Sequence, residues 1–375
     1  MAQDFTVDRN SPKWVLGSDG YLKEYANDEA AIEFNADGSY KGVLVEPQSV
    51  NEALQSETFS AWNATNATLA TNTGGSPKND NYKILVPDNG ASANTSRITD
   101  VLPSTTGAMC FSVFAKSEGF NRLNLRVNIG GSTTNTIFNT DTGTVISGTG
   151  GSVREIGNGW YRFSVVKTET STTNRTFEIR IDNAGNGTDG IGIYGAQVEQ
   201  SPVATSYIPT TTGAVTRLKD DIFFANASSV IGQSEGTLFV EVDWQLMSGA
   251  TQWIFSVNDS TFTNRVLLLK SAVDEYIDAR VYKSGSAVWN EPYTSSLSGI
   301  QKIALTYSAT GGKMYVNGSE VLDDTNDLSF SAGTLTDVNF GQSVTSSGQS
   351  NMWFRAVALF TTRLSDAECE ALTTI

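Results

Sequence analysis

The sequence predicts an all-β protein made of two antiparallel β-sandwiches, with one short helix at its C-terminus. Three observations lead there. Apolar and polar residues alternate over short runs, which is the strand period. Gly, Ser, Thr and Asn crowd the stretches between those runs, as turns require. Long helical periods are absent. The 375 residues leave room for about two or three domains, each large enough to bury its own core.

The first strand series begins with Phe111 to Lys116. Asn124 to Ile129 follows and places Leu125, Val127 and Ile129 on one face. Trp160 to Val165 comes after the turn Gly157-Asn158-Gly159. Phe177 to Ile181 and Ile191 to Val198 close the series. The second series starts after Gly236. Thr237 to Leu246 sets Leu238, Val240, Val242, Trp244 and Leu246 on one face, and Phe239, Glu241, Asp243 and Gln245 on the other. Strands at 253–257, 265–270, 277–282 and 302–307 follow, and 352–360 is the last. Met314 to Val321 reads as a hairpin about an Asn317-Gly318 type I′ turn. Ser365-Asp366-Ala367-Glu368 is a capping box that opens the C-terminal helix. Ser49-Val50-Asn51-Glu52 has the same spacing, with room for at most two turns between Pro47 and Thr58. The expected divisions are a docking or edge segment at 1–60, a first sandwich at 61–205, a linking strap at 206–235 and a second sandwich at 236–375.

Composition removes whole classes of function. The chain has no histidine, so no Ser-His-Asp unit and no imidazole-ligated metal site can form. Twenty-five Lys and Arg stand against 40 Asp and Glu, a net charge of −15. That surplus argues against nucleic acid and anionic membrane surfaces as partners. Cys110 and Cys369 are too few and too far apart for a disulfide framework or a metal spacing, and read as buried or idle thiols. The N-terminus has no apolar run of signal-peptide type, and no stretch reaches the roughly 18 apolar residues of a membrane span. The expectation is a soluble protein made in a cytosol.

Several segments resemble a known family. Residues 31–62 carry Gly42, Leu44, Glu46, Pro47, Gln48, Asn51, Ser56, Glu57, Phe59 and Trp62 in the pattern GxLxEPQxxN, then SExFxxxxW. With FSVFAKSEG at 111–119, GNGWYRFSV at 157–165 and IYGAQVEQSPVATSYIPTTTGAVTR at 193–217, they resemble tailed-phage virion proteins of tail-fibre type. In those proteins such segments belong to a jelly roll like a carbohydrate-binding module. IALTYSATGGKMYVNGSEV at 303–321 and RLSDAECEAL at 363–372 are similar to laminin-G-like, concanavalin-type sandwiches. The strand MWFRAVALF at 352–360 lacks the acidic pair common there. The resemblance implies a virion-surface protein made in the host cytoplasm, with other phage virion proteins as partners, host cell-surface polysaccharide as a further one, and a homo-oligomer, trimeric by analogy.

The candidate chemistry is thin. Glu241 and Asp243 lie on one strand face as in some sandwich glycosidases, but the third acidic position is Gln245 or Leu246, so no catalytic residue is assigned. Asp323, Asp324 and Asp327 concentrate oxygen ligands suited to calcium, without a complete loop motif; an acidic turn is the alternative, and no cofactor is expected. For glycan binding the candidates are Trp289, Asn290, Glu291 and Tyr293, an aromatic cluster with polar neighbours; the alternative places Trp289 in the core. For docking they are Trp14, Tyr21 and Tyr25, the alternative being edge strands of the first sandwich. The first functional reading is a structural adhesion module, tail-fibre-like or capsid-attached, that binds host glycans without catalysis. The second is a head decoration or adaptor protein, and the third a glycan depolymerase.

Overall fold

One sandwich is inserted into the other. The computed structural model describes the chain except residues 1–4, 104, 170–172, 245–250, 272–275, 296–298 and 346–347, and the side chains of Glu169 and Trp244. The chain starts in the outer sandwich, leaves it to build the inserted one, and returns.

Among the described residues, two seven-stranded antiparallel sheets form the outer sandwich. One runs Thr6–Asp8, Asp221–Phe224, Asp337–Phe340, Gln252–Asn258, Arg265–Lys270, Ile277–Lys283, Ser286–Tyr293 in spatial order. The other runs Ser319–Asp324, Gly312–Val316, Gly299–Ser308, Glu235–Trp244, Met352–Phe360, Tyr40–Val45, Ile32–Phe34. Leu238, Val240, Phe255, Leu268, Ile303 and Phe340 are among the buried side chains between them.

Two six-stranded antiparallel sheets form the inserted sandwich. Arg122–Ile129, Arg175–Ile181 and Ser96–Leu102 centre one, and Trp160–Glu169, Gly107–Glu118 and Gly190–Glu199 the other. Phe111, Leu125, Val127, Phe163, Phe177 and Ile193 are buried in its core, as the alternating pattern expects.

The all-β expectation and every strand quoted above that lies within the described residues are found. Asn317 and Gly318 both have positive φ, 50° and 83°, the geometry of a type I′ turn. The helix Asp366–Thr373 is opened by Ser365 and Glu368 in a complete capping box.

The structure departs from the expected organisation at the N-terminus. Residues 6–8, 32–34 and 40–45 are strands of the outer sandwich, whereas Ala53 and Phe59 are buried in the core of the inserted one, so segment 1–60 is divided between the two. Part of the strap, Asp221–Phe224, also belongs to the outer sandwich. Ser49–Asn51 is a strand rather than a helix start: it pairs with Val215–Arg217, where the chain leaves the inserted sandwich. The Asn51 side chain fixes it there, donating to the carbonyls of Ala196 (3.0 Å) and Ile208 (2.7 Å) and accepting from the amides of Ala53 and Val198. Pairing with a strand 164 or more positions away cannot be read from local spacing.

Candidate functional site

Each side chain proposed from sequence has a defined place. Trp289 is 2% exposed and lies in the outer core, so its ring has no face for a sugar. Its indole N–H donates to Glu291 at 3.0 Å. Tyr293 packs against the same core, and Asn290 alone of the four is exposed on that edge strand. The aromatic cluster is therefore core. The sequence misleads here because Pro292 and polar neighbours mark the edge of a sheet as readily as a loop.

Trp14 and Tyr25 are joints within the molecule. Trp14 packs with Leu16 and Leu22 on the inserted sandwich, with Lys78 Nζ 4.2 Å above its ring. Tyr25 packs beside Val15, Leu44 and Trp353, and its hydroxyl donates to the Ile32 carbonyl. Tyr21 is half-buried at the turn of the same hairpin. The hairpin Lys13–Leu16/Leu22–Tyr25 is thus a wedge whose alternate side chains serve alternate sandwiches.

The acidic turn is self-contained. Asp324 accepts from the backbone and side chain of Asn326, and Asp327 from Ser329 and Lys283. Among the described residues no group of three or more His, Cys, Asp or Glu can hold a metal ion. Glu241 is bound by Arg355 at 2.7 Å.

A different site lies between the sandwiches. A crevice of about 320 Å3 is lined from the inserted sandwich by Ser152, Arg154, Arg162 and Ser164, and from the outer one by Lys41, Asp243 and Trp353. A second hollow of about 310 Å3 shares Lys41 and Arg154 and continues to Asn35, Asp37 and Glu155. Either volume sits at the small end of the roughly 300–1,000 Å3 of ordinary ligand sites.

Trp353 anchors this crevice. Its indole N–H donates to Glu33 at 2.5 Å, and the other Glu33 oxygen holds Arg154 at 2.8 Å. Lys41 Nζ lies 3.7 Å from the Trp353 ring centre, a cation–π contact. Among the described residues the Lys41 ammonium makes no hydrogen bond or ion pair; its carbonyl accepts from Arg355. Burial lowers its pKa to about 8, with the Arg154 charge adding to the effect and Glu33 and Asp243 opposing it. Asp243 is half-buried, and its carboxylate likewise makes no hydrogen bond or ion pair among the described residues. Arg162 is 6% exposed; it donates to Thr205 and to Ser112, while its Nε finds no acceptor. A buried donor left unpaired is costly, and a ligand acceptor would satisfy it.

Sequence patterns give no sign of Lys41, Arg154 or Arg162, and from them Trp353 reads as core. These residues are spread over 313 positions and converge only because the N-terminal strands cross into the outer sandwich.

No protein-family model matches this sequence, and no curated protein does. Three of the solved structures that are similar to part of this chain serve as examples. One is the NanB sialidase from Streptococcus pneumoniae, 16% identical over 40% of this chain and 26% of that one, with a TM-score of 0.35. Another is the Ruminococcus gnavus IT-sialidase CBM40 bound to α2,6 sialyllactose, 16% identical over 40% and 91%, TM-score 0.33. The third is the heptameric SAP-like pentraxin of Limulus polyphemus, 12% identical over 38% and 70%, TM-score 0.31. The chain spans about a quarter of the sialidase's length.

Proposed function

We propose that this chain is a non-catalytic glycan-binding adhesion module that holds an acidic sugar unit in the crevice between its sandwiches. The observation that carries this reading is the unpaired Lys41 ammonium set on Trp353, beside Arg154 and the orphaned Arg162 Nε. Two or three donors converge on a small half-enclosed space, which suits a carboxylate. Asp243 and the paired hydroxyls of Ser152 and Ser164 supply acceptors and donors for ring hydroxyls. Trp353 is 6% exposed and already faces Lys41, so it positions the ammonium rather than stacking on sugar.

The virion setting rests on the motif resemblance alone. In that setting many copies on one particle would turn weak single-site affinity into useful avidity. The decoration or adaptor reading keeps the same setting without the sugar.

Purified protein applied to an array of acidic and neutral glycans tests the proposal. Retention on acidic glycans, reduced in Lys41→Ala, supports it. Retention on none, or retention that Lys41→Ala leaves intact, refutes the crevice as the site.

A further inference from the structure

The outer face of one sheet of the inserted sandwich carries a second cationic site. Strand register places Asn124, Arg180 and Arg97 in one row across three adjacent strands. Two residues along, hence on the same face, Arg126, Glu178 and Thr99 form the next row. The intervening residues Leu125, Val127, Phe177 and Ile179 point into the core.

Three guanidinium groups converge on the single Glu178 carboxylate. Arg180 reaches it at 2.7 Å, and Arg97 and Arg126 each at 3.3 Å. One carboxylate cannot neutralise three arginines, so the face keeps a surplus of two positive charges in a chain of net −15. Arg97 and Arg126 stay about a third exposed, at 29% and 30%. Their donors are therefore reachable from solvent.

A second feature narrows the ligand. Asn124 is 1% exposed and gives its amide to Asn94 at 2.8 Å, while its Oδ1 has no hydrogen-bond donor. An acceptor beside arginines repels a bare anion and welcomes a hydroxyl. A ligand carrying acid groups and hydroxyls together satisfies both. We infer that this sheet face binds an acidic polysaccharide, its acid groups on Arg97 and Arg126 and a hydroxyl toward Asn124. No residue of the crevice takes part.

The test is titration of polygalacturonate into the full chain at low salt, with neutral dextran and single-stranded oligo-dT as comparison polymers. Native protein binds polygalacturonate and not dextran. Arg97→Gln/Arg126→Gln weakens binding by about tenfold or more for each charge-assisted hydrogen bond removed. The surface change Lys83→Gln, on the opposite sheet, alters net charge equally to a single one of these and leaves binding intact. Glu178→Gln tightens binding, because it removes the one negative charge on the face; a purely structural ion cluster gives no such gain. Three results overturn the inference: no binding of polygalacturonate by native protein, unchanged binding by the folded double variant, or equal binding of oligo-dT. Loss of binding in Lys41→Ala with retention in the arginine variant would move the polymer to the crevice and also refute it.

Discussion

The Lys13 ammonium meets the Asp220 carboxylate at 2.6 Å across 207 positions of chain, with both side chains out of solvent. Arg9 binds the other Asp220 oxygen at 2.8 Å, and the Glu46 amide donates to the carboxylate at 2.9 Å. The Glu46 side chain closes the cluster, 3.0 Å from Lys13 and accepting from the Ser206 amide at 2.8 Å. This knot joins the start of the chain, the strand leading out of the outer sandwich and the strap leading back. It fixes how the inserted sandwich sits.

Removing one member leaves its partners charged and buried. Asp220→Asn is expected to cost roughly 3–5 kcal/mol, the usual penalty for breaking a buried pair from one side. Chemical denaturation followed by tryptophan fluorescence measures it. A loss near zero would show that the cluster is hydrated in solution.

Acid should loosen the same joint. Burial alone would raise the Glu46 pKa, but Lys13 and Arg217 outweigh it and bring it from 4.5 to about 2. A carboxylate whose folded pKa is depressed contributes stability in full above its unfolded pKa. That contribution is lost as pH falls from about 4.5 to about 2. Thermal melts across this range should show a decline that Glu46→Gln flattens. An equal decline in the variant would assign the effect to other carboxylates.

Trp289→Ala removes a core side chain, so it is expected to cost about 3–5 kcal/mol. Tyr293→Ala, at the end of the same edge strand, should cost less. In the folded Tyr293→Ala protein, binding to acidic glycans should equal that of the native chain. A selective loss of binding with unchanged stability would restore that strand as the sugar site.

Much of the fold is legible because strand alternation and turn chemistry are local. The run Asn124 to Ile129, the Asn317-Gly318 turn and the Ser365 capping box each announce themselves within a few residues. The insertion is not legible in that way. Ser49 to Asn51 has a helix-start spacing, yet its backbone is claimed by Val215–Arg217 and its side chain by residues near 196 and 208. The motif segments at 42–62 and 193–217 hydrogen-bond to one another through Glu46, Asn51 and Ser56, which accounts for their polar residues structurally. The crevice is hidden for the same reason: Lys41, Arg154 and Trp353 share no local pattern. The exposed-aromatic reading of Trp289 fails because sequence records the polarity of neighbours, whereas burial is set by the sheet packed behind.

The proposed crevice site should be sensitive to pH through Lys41. With its pKa lowered to about 8, mainly by burial and then by Arg154, the ammonium is present at neutrality and is lost as pH rises through about 8. An acidic sugar in the crevice needs that charge, so affinity should fall between about pH 7 and 9 if Lys41 holds it. Affinity that is flat over this range would remove Lys41 from the site.

The most direct measurement is isothermal titration of the strongest acidic glycan from the array into native protein and Lys41→Ala, each at pH 7 and pH 9. The crevice reading expects saturable binding by the native chain at pH 7, weakened at pH 9, and in the variant only the component that does not change between pH 7 and pH 9, held by the arginine face. Equal affinity in both proteins at both pH values would contradict it.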